Sequence, residues 1–259
     1  MELQAELKDY KVLITRPEPQ AMSLAERVQK LGGIAIIFPC IAIVEPTEKQ
    51  DLLQIIAKLS EFDLAIFISP TAVEKAMPLV RHIWPNSLKV GCIGEGTAHS
   101  LAKHQIKVDF YPKQRFNSEE LLALAELQAI RGKKVVLFKG EGGKLVLEET
   151  LKLRGAEVHN AIVYARARPD VAVSPILVRW QREQFNVVVS TSQEAFMNLL
   201  TLLGEKGFAL LQNTPLLVIS EAMALAAKQA GLDQVILADN ATDEAIINAL
   251  RQQRKRLND

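Results

Sequence analysis

Cysteine is nearly missing: Cys40 and Cys92 are the only two in 259 residues, too few for a disulfide framework and suited to a reducing compartment. Aromatic residues make up 5% of the chain, with two Trp and three Tyr, which argues against a stacking platform for nucleic-acid bases. Neither sign of charge dominates. Lys and Arg number 31 and Asp and Glu 30, a formal net charge of +1, so bulk charge gives no support to binding a phosphate backbone. No run approaches the ~20 unbroken apolar residues that cross a bilayer. The first residues carry Glu2, Glu6, Lys8, Asp9 and Lys11 and lack a signal-peptide core. The expectation is a cytoplasmic protein without nucleic-acid or membrane partners.

Metal and nucleotide motifs are missing as well. His82, His99, His104 and His159 are scattered, with no Cys at a ligand spacing and no HExxH or CxxC, so no metal is expected. No GxSxG elbow occurs. The run Gly140-Glu-Gly-Gly-Lys144 continues with Leu145 where a Walker loop needs Ser or Thr, and Gly91-Cys-Ile-Gly-Glu-Gly96 has its glycines in the wrong order for a dinucleotide fingerprint. No cofactor is read from either.

What is present is an ordinary globular balance, 49% hydrophobic and 24% charged, in a chain long enough for two domains of ~100–150 residues. Short apolar runs at 11–15, 34–38, 64–69, 90–93, 135–139, 187–191, 216–220 and 234–238 read as strands of a parallel sheet buried on both faces. Amphipathic stretches lie between them. In 22–31, Leu24, Val28 and Leu31 share a stripe and Gly32 follows as a stop; 144–154 repeats the design with Leu147, Leu151 and Gly155. Asn117 with Glu120 has capping-box spacing. This alternation predicts a doubly wound α/β architecture.

The chain also repeats itself. Lys11-Val-Leu-Ile14 resembles Lys134-Val-Val-Leu137, and Phe62-Asp-Leu-Ala-Ile66 resembles Phe185-Asn-Val-Val-Val189, both 123 positions on. Ile93-Gly-Glu95 matches Ile219-Ser-Glu221, and Asn117-Ser-Glu-Glu-Leu121 matches Ala241-Thr-Asp-Glu-Ala245, in the same order. Two extended segments ending in proline, 38–46 and 161–169, follow strands and lack a helical period. Read as linkers, they leave a continuous lobe at 45–163 and a second lobe assembled from 1–40 and 168–259. A tandem split near residue 130 is the alternative.

Strand ends that open into helix N-termini with small or hydroxylated residues are the chemical candidates: Thr15-Arg16, Ser69, Gly94 to Thr97, Lys139 to Lys144, Ser190 to Ser192 and Ser220. In an open α/β sheet these ends face the ligand crevice, and helix N-termini there suit anions. Each Ser or Thr taken alone reads first as a plain N-cap; the set, spread over both copies, points to a shared anion-binding cleft. Arg16, Lys139 and Lys144 are the cations placed to meet carboxylates. Tyr164, in a predicted inter-lobe linker, carries a phenol that keeps its proton at neutral pH and can donate it.

Together these segments resemble the uroporphyrinogen-III synthase family. The resemblance rests on Leu13-Ile-Thr-Arg-Pro17, Phe67-Ile-Ser-Pro70, Gly94-Glu-Gly-Thr-Ala98, Phe116-Asn-Ser-Glu-Glu-Leu-Leu122, Lys139 to Lys144, Tyr164-Ala-Arg166 and Thr191-Ser192, over about residues 10–250. It implies two flavodoxin-like parallel-sheet lobes joined by a two-stranded β linker. It implies cyclisation of the linear tetrapyrrole hydroxymethylbilane, with inversion of ring D through a spiro intermediate and loss of water, and without a cofactor. It also brings in the preceding hydroxymethylbilane synthase as a transient partner. By position, Thr15, Arg16, Ser69, Thr97, Ser118, Lys139, Gly140, Gly142, Gly143, Lys144, Thr191, Ser192 and Ser220 would bind substrate, with Tyr164 as the catalytic acid. A monomer is expected. The competing readings are a non-catalytic two-lobed anion-binding protein and a structural protein of duplicated lobes.

Overall fold

The computed structural model describes residues 6–143 and 145–258. The first half of the chain runs β1 (Lys11–Ile14), α1 (Glu18–Lys30), β2 (Ile34–Ile37), β3 (Ala42–Val44), α2 (Gln50–Ala57), β4 (Leu64–Phe67), α3 (Pro70–Val80), β5 (Lys89–Cys92), α4 (Glu95–Lys103) and α5 (Ser118–Ala123). The second runs β6 (Lys134–Gly140), α6 (Val146–Leu153), β7 (Glu157–Ala167), α7 (Ser174–Glu183), β8 (Val187–Val189), α8 (Gln193–Gln212), β9 (Leu216–Val218), α9 (Glu221–Gln229), β10 (Val235–Leu237) and α10 (Asp243–Asn258). Two compact units result: Met1–Ala42 with Ala167–Asp259, and Ile43–Arg166.

The first unit holds a sheet ordered β2-β1-β8-β9-β10, the flavodoxin order. Its pairs are parallel, with Val12 opposite Ala35 on one side and Val187 on the other. The strands are aliphatic because helices cover both faces. Val12, Ile14, Val187, Val189 and Leu217 are fully buried with Leu24, Val28 and Ile246. The second unit is ordered β3-β7-β6-β4-β5, and Phe110 adds a one-residue parallel bridge to Gly91 beyond β5. Phe67 on β4 and Phe138 on β6 stack with ring centroids 4.6 Å apart at the centre of its core.

The repeat extends to nearly every element: α4 and α9 lie 126 positions apart, α3 and α8 start 123 apart. Strand starts are held alike. Asp63 Oδ2 accepts from Lys134 N at 2.8 Å, and Asn186 Oδ1, its counterpart, accepts from Lys11 N at 2.7 Å. Gly32 and Gly155 close α1 and α6 with φ of 81° and 85°, a left-handed turn that glycine enters without a Cβ clash. Yet sequence repeat and compact unit are different things. The first repeat places β1 and β2 in one sheet and β4 and β5 in the other; the second places β6 and β7 beside β4 and sends β8–β10 to join β1. Each sheet is thus built from both repeats.

Within the expected linkers, 161–169 is no free connection. Glu157 to Ala167 is one strand paired with β6, because the buried run Ala161, Val163, Tyr164, Ala165 continues the sheet core. The repeat also exposes a mismatch. Gln105 ends α4 at φ 62°, where its counterpart Gly231 ends α9 at φ 85°. Gln105 is exposed, and among the described residues it makes no side-chain bond that the change would lose. Gln105→Gly is expected to stabilise the protein by about 1 kcal/mol in urea unfolding, by relieving the left-handed Cβ penalty.

Candidate active site

A doubly wound sheet opens a crevice where neighbouring strands lead off in opposite directions. In the second unit that place lies between β4 and β6, and a pocket of about 100 Å³ sits at their carboxyl ends. Ser69, Lys139, Gly140, Gly142, Gly143 and Tyr164 line it together, with Ile68, Glu141 and Arg166. Six expected site residues therefore share one pocket. Glu141 falls inside the candidate run Lys139 to Lys144, whereas Arg166 is a pocket residue that the sequence candidates lack. The readable signal for Arg166 was its place two residues after Tyr164 on one extended strand, which puts both on the same face.

Local structure explains each position. β4 ends at Phe67, and Ser69, extended at φ −163°, caps α3 by accepting from Ala72 N at 3.0 Å, with Pro70 next. The register between β6 and β7 slips between Lys139 and Gly140, and Glu141 N donates to Tyr164 O at 2.7 Å. That slip lays the Tyr164 ring on the Gly140 backbone. A Cβ added at Gly140 would lie 2.5 Å from Tyr164 Cζ, so no larger residue fits there with the ring in place. Gly142 and Gly143 follow at φ 72° and 90° with open space where side chains would be, leaving their backbone accessible to a ligand.

Tyr164 is only 3% exposed. Its Oη lies 3.3 Å from Ser69 Oγ and accepts from Arg166 Nη2 at 3.4 Å. Lys139, 8% exposed, makes no hydrogen bond or ion pair among the described residues. A buried lysine is ordinarily paired, so this ammonium is the pocket's uncommitted cation. The nearby Glu148 carboxyl is held below its usual value first by the hydrogen bond from Lys152, against partial burial, then by Asn160 and by the charges of Lys152 and Lys139.

The other expected residues are placed differently. Thr97 is buried in the first turn of α4, and Ser118 is half-buried at the start of α5; neither lines the pocket. Lys144 lies outside the described residues. In the first unit, Thr191, Ser192 and Ser220 sit half-buried beyond β8 and β9, and the two serines cap α8 and α9. Thr15 is fully buried and donates to Val189 O at 2.9 Å. Arg16, the counterpart of Lys139, is committed: Nη1 meets Asp243 Oδ1 at 2.5 Å and Nη2 donates to Ala241 O at 3.3 Å, while Ser23 Oγ holds the other Asp243 oxygen at 2.6 Å. Both are tied into the fold where sequence reading had them face a ligand. Cys40 and Cys92 are buried, and burial pushes their thiols up to about 12 and about 11.

Two flavodoxin-type units, one with a pocket that Tyr164 and Lys139 line at its switch point, define a two-unit α/β protein. The chain belongs to the uroporphyrinogen-III synthase family, whose model, uroporphyrinogen-III synthase HemD, matches residues 22–248. It is 35% identical over 248 residues to the uroporphyrinogen-III synthase of Salmonella typhimurium, covering 93% of this chain and 99% of that one. The Escherichia coli enzyme of the same name is 34% identical over 245 residues, with the same coverage. Among solved structures, uroporphyrinogen-III synthetase from Helicobacter pylori aligns over 94% of this chain and 99% of its own, at 15% identity and TM-score 0.62. A mutant uroporphyrinogen III synthase from Thermus thermophilus does so over 95% and 99%, at 16% identity and TM-score 0.59. These two share the fold.

The pairing of Arg16 yields a direct test. With side chains only 9% and 14% exposed, truncating Asp243 strands a buried guanidinium. Asp243→Ala is expected to cost about 3–5 kcal/mol in urea unfolding, and adding Arg16→Met should recover most of it.

Proposed function

We propose that this chain cyclises hydroxymethylbilane to uroporphyrinogen III, inverting ring D and releasing water, as a cytoplasmic enzyme that needs no metal or organic cofactor. The observation that carries the proposal is the buried Tyr164 phenol beside the unpaired Lys139 ammonium, at the switch point of a chain in this family. The substrate is a flexible polyacid with a hydroxymethyl group at one end. Its carboxylates need cations and N–H donors; its hydroxyl needs a proton before it can leave.

Tyr164 supplies that proton, a general-acid contribution of about 10²-fold. Lys139 and the exposed Gly142–Gly143 backbone receive carboxylates near the reacting end, and Ser69 and Gly140 hold the phenol in place. Thr97, Ser118 and Lys144 in the second unit, and Thr191, Ser192 and Ser220 in the first, add further substrate contacts. Thr15 and Arg16 act indirectly, by fixing the strand-end turn of the first unit. Once the hydroxyl has gone, the electrophile left behind can close unaided to the uninverted isomer. Most of the catalytic effect is therefore positional: ring D must be held so that its substituted carbon attacks first. An electrophile this short-lived also favours handover from the preceding hydroxymethylbilane synthase.

Purified protein supplied with freshly made hydroxymethylbilane, followed by oxidation of the product, should give type III porphyrin in large excess over type I. An isomer mixture equal to an enzyme-free blank overturns the proposal and leaves a non-catalytic binding protein. Tyr164→Phe should lower turnover about 10²-fold with the unfolding midpoint unchanged; wild-type turnover would remove Tyr164 from the mechanism.

A further inference from the structure

We infer that Arg166 and Ser69 are positioning residues that aim the Tyr164 proton at the substrate, an inference that rests on the acid role proposed above. Two groups reach the phenol oxygen, Ser69 Oγ at 3.3 Å and Arg166 Nη2 at 3.4 Å. A guanidinium offers only N–H groups, so Oη is the acceptor from Arg166. Ser69 Oγ already accepts from Ala72 N as the α3 cap, and its own hydrogen is free to point at Oη. With both donating, the acceptor positions of Oη are filled and its single hydrogen is left for a group entering the pocket.

The ring is bounded where it lies against the β6 backbone. On one side the Gly140 backbone is so close that an added Cβ would lie 2.9 Å from Oη. The Arg166 guanidinium carbon also lies 5.8 Å from the ring centroid, within the range of a cation–π contact. Both hydrogen bonds are long, as catalytic ones commonly are before substrate binds, and they tighten as charge gathers on Oη. The proton passes from Oη to the hydroxymethyl oxygen, the C–O electron pair stays with that oxygen, and water departs. The phenolate left behind faces two donors, a small oxyanion hole turned toward the enzyme's own acid. The substituted carbon of ring D bonds to the methylene left by the departing water, and its older bond to the ring C methylene then breaks. The free α-carbon of ring D bonds to that ring C methylene. The phenolate takes back a proton when this α-carbon loses its hydrogen on re-aromatisation, so the cycle closes without an added reactant.

Sequence position gave no reason to separate Arg166 from a substrate-binding cation; the test does. Arg166 is exposed, so Arg166→Gln should leave the unfolding midpoint in place. It should lower kcat about tenfold with KM within about twofold, and Arg166→Lys should restore part of the loss. In the Tyr164→Phe background, where Oη is gone, Arg166→Gln should have no further effect. Ser69→Ala should show the same kcat loss and the same lack of further effect in the Tyr164→Phe background, with the unfolding midpoint lowered by the lost α3 cap. Ser69→Thr, which keeps both hydroxyl and cap, should recover part of the loss. A tenfold loss in both backgrounds, or a loss confined to KM, makes Arg166 an independent carboxylate ligand and overturns the inference. If Arg166→Gln fails to fold, Arg166→Lys in the two backgrounds carries the same comparison. Wild-type turnover by Tyr164→Phe alone would instead bring down the acid role, and this inference with it.

Discussion

Two strand pairings carry the whole architecture: β1 with β8, and β4 with β6. Each joins strands from different sequence repeats, Val12 opposite Val187 in one sheet and Leu64 opposite Val135 in the other. Without them each sheet would divide into pieces of two or three short strands, too small to bury both faces. The constraint also orders assembly. The strands of the second sheet lie in one stretch of chain, from Ala42 to Ala167, whereas the first must wait until β8–β10 exist before β1 has its central partner.

The same pairings create the two places where chemistry can reside. Strand order reverses at β1/β8 and at β4/β6, and each reversal leaves a cation at the carboxyl end of a central strand, Arg16 in one unit and Lys139 in the other. From that common start the units diverge. Asp243 neutralises Arg16, and Ser23 fixes the carboxylate from its other oxygen, so this turn has become part of the scaffold. Around Lys139 no carboxylate closes an ion pair among the described residues, although the Glu148 carboxylate lies near enough to feel its charge. The register slip after Lys139, three glycines within four residues and the Tyr164 ring turn the equivalent place into a pocket. The repeat thus supplies two equivalent strand ends, and the one after β6 opens into the pocket that Tyr164 lines.

Much of the fold was legible because its signals are local. Valine, isoleucine and leucine runs marked the strands to within a residue or two, since a strand buried on both faces tolerates little else. Gly32 and Gly155 marked helix ends because the left-handed turn selects glycine. Glu157, His159 and Asn160 are what concealed β7: its first residues are polar, and an edgeward strand with half-buried polar positions resembles a connection until its pairing with β6 is seen. The pocket residues in Lys139 to Gly143 stood out because unusual glycine density is visible in one dimension.

What could not be read was which cation was spent. Arg16 and Lys139 occupy the same position in the repeat, follow the same kind of strand and precede the same kind of turn. The group that separates them, Asp243, lies 227 residues from Arg16, in the first turn of α10. A local pattern cannot report a neutralising partner brought in by tertiary pairing, and for a buried charge that partner offsets much of the desolvation cost, so that removing it alone is costly. What separates the two cations in the folded chain is therefore their surroundings: Arg16 is locked to Asp243, whereas Lys139 makes no hydrogen bond or ion pair among the described residues and lines a pocket with Tyr164 and the glycine-rich turn.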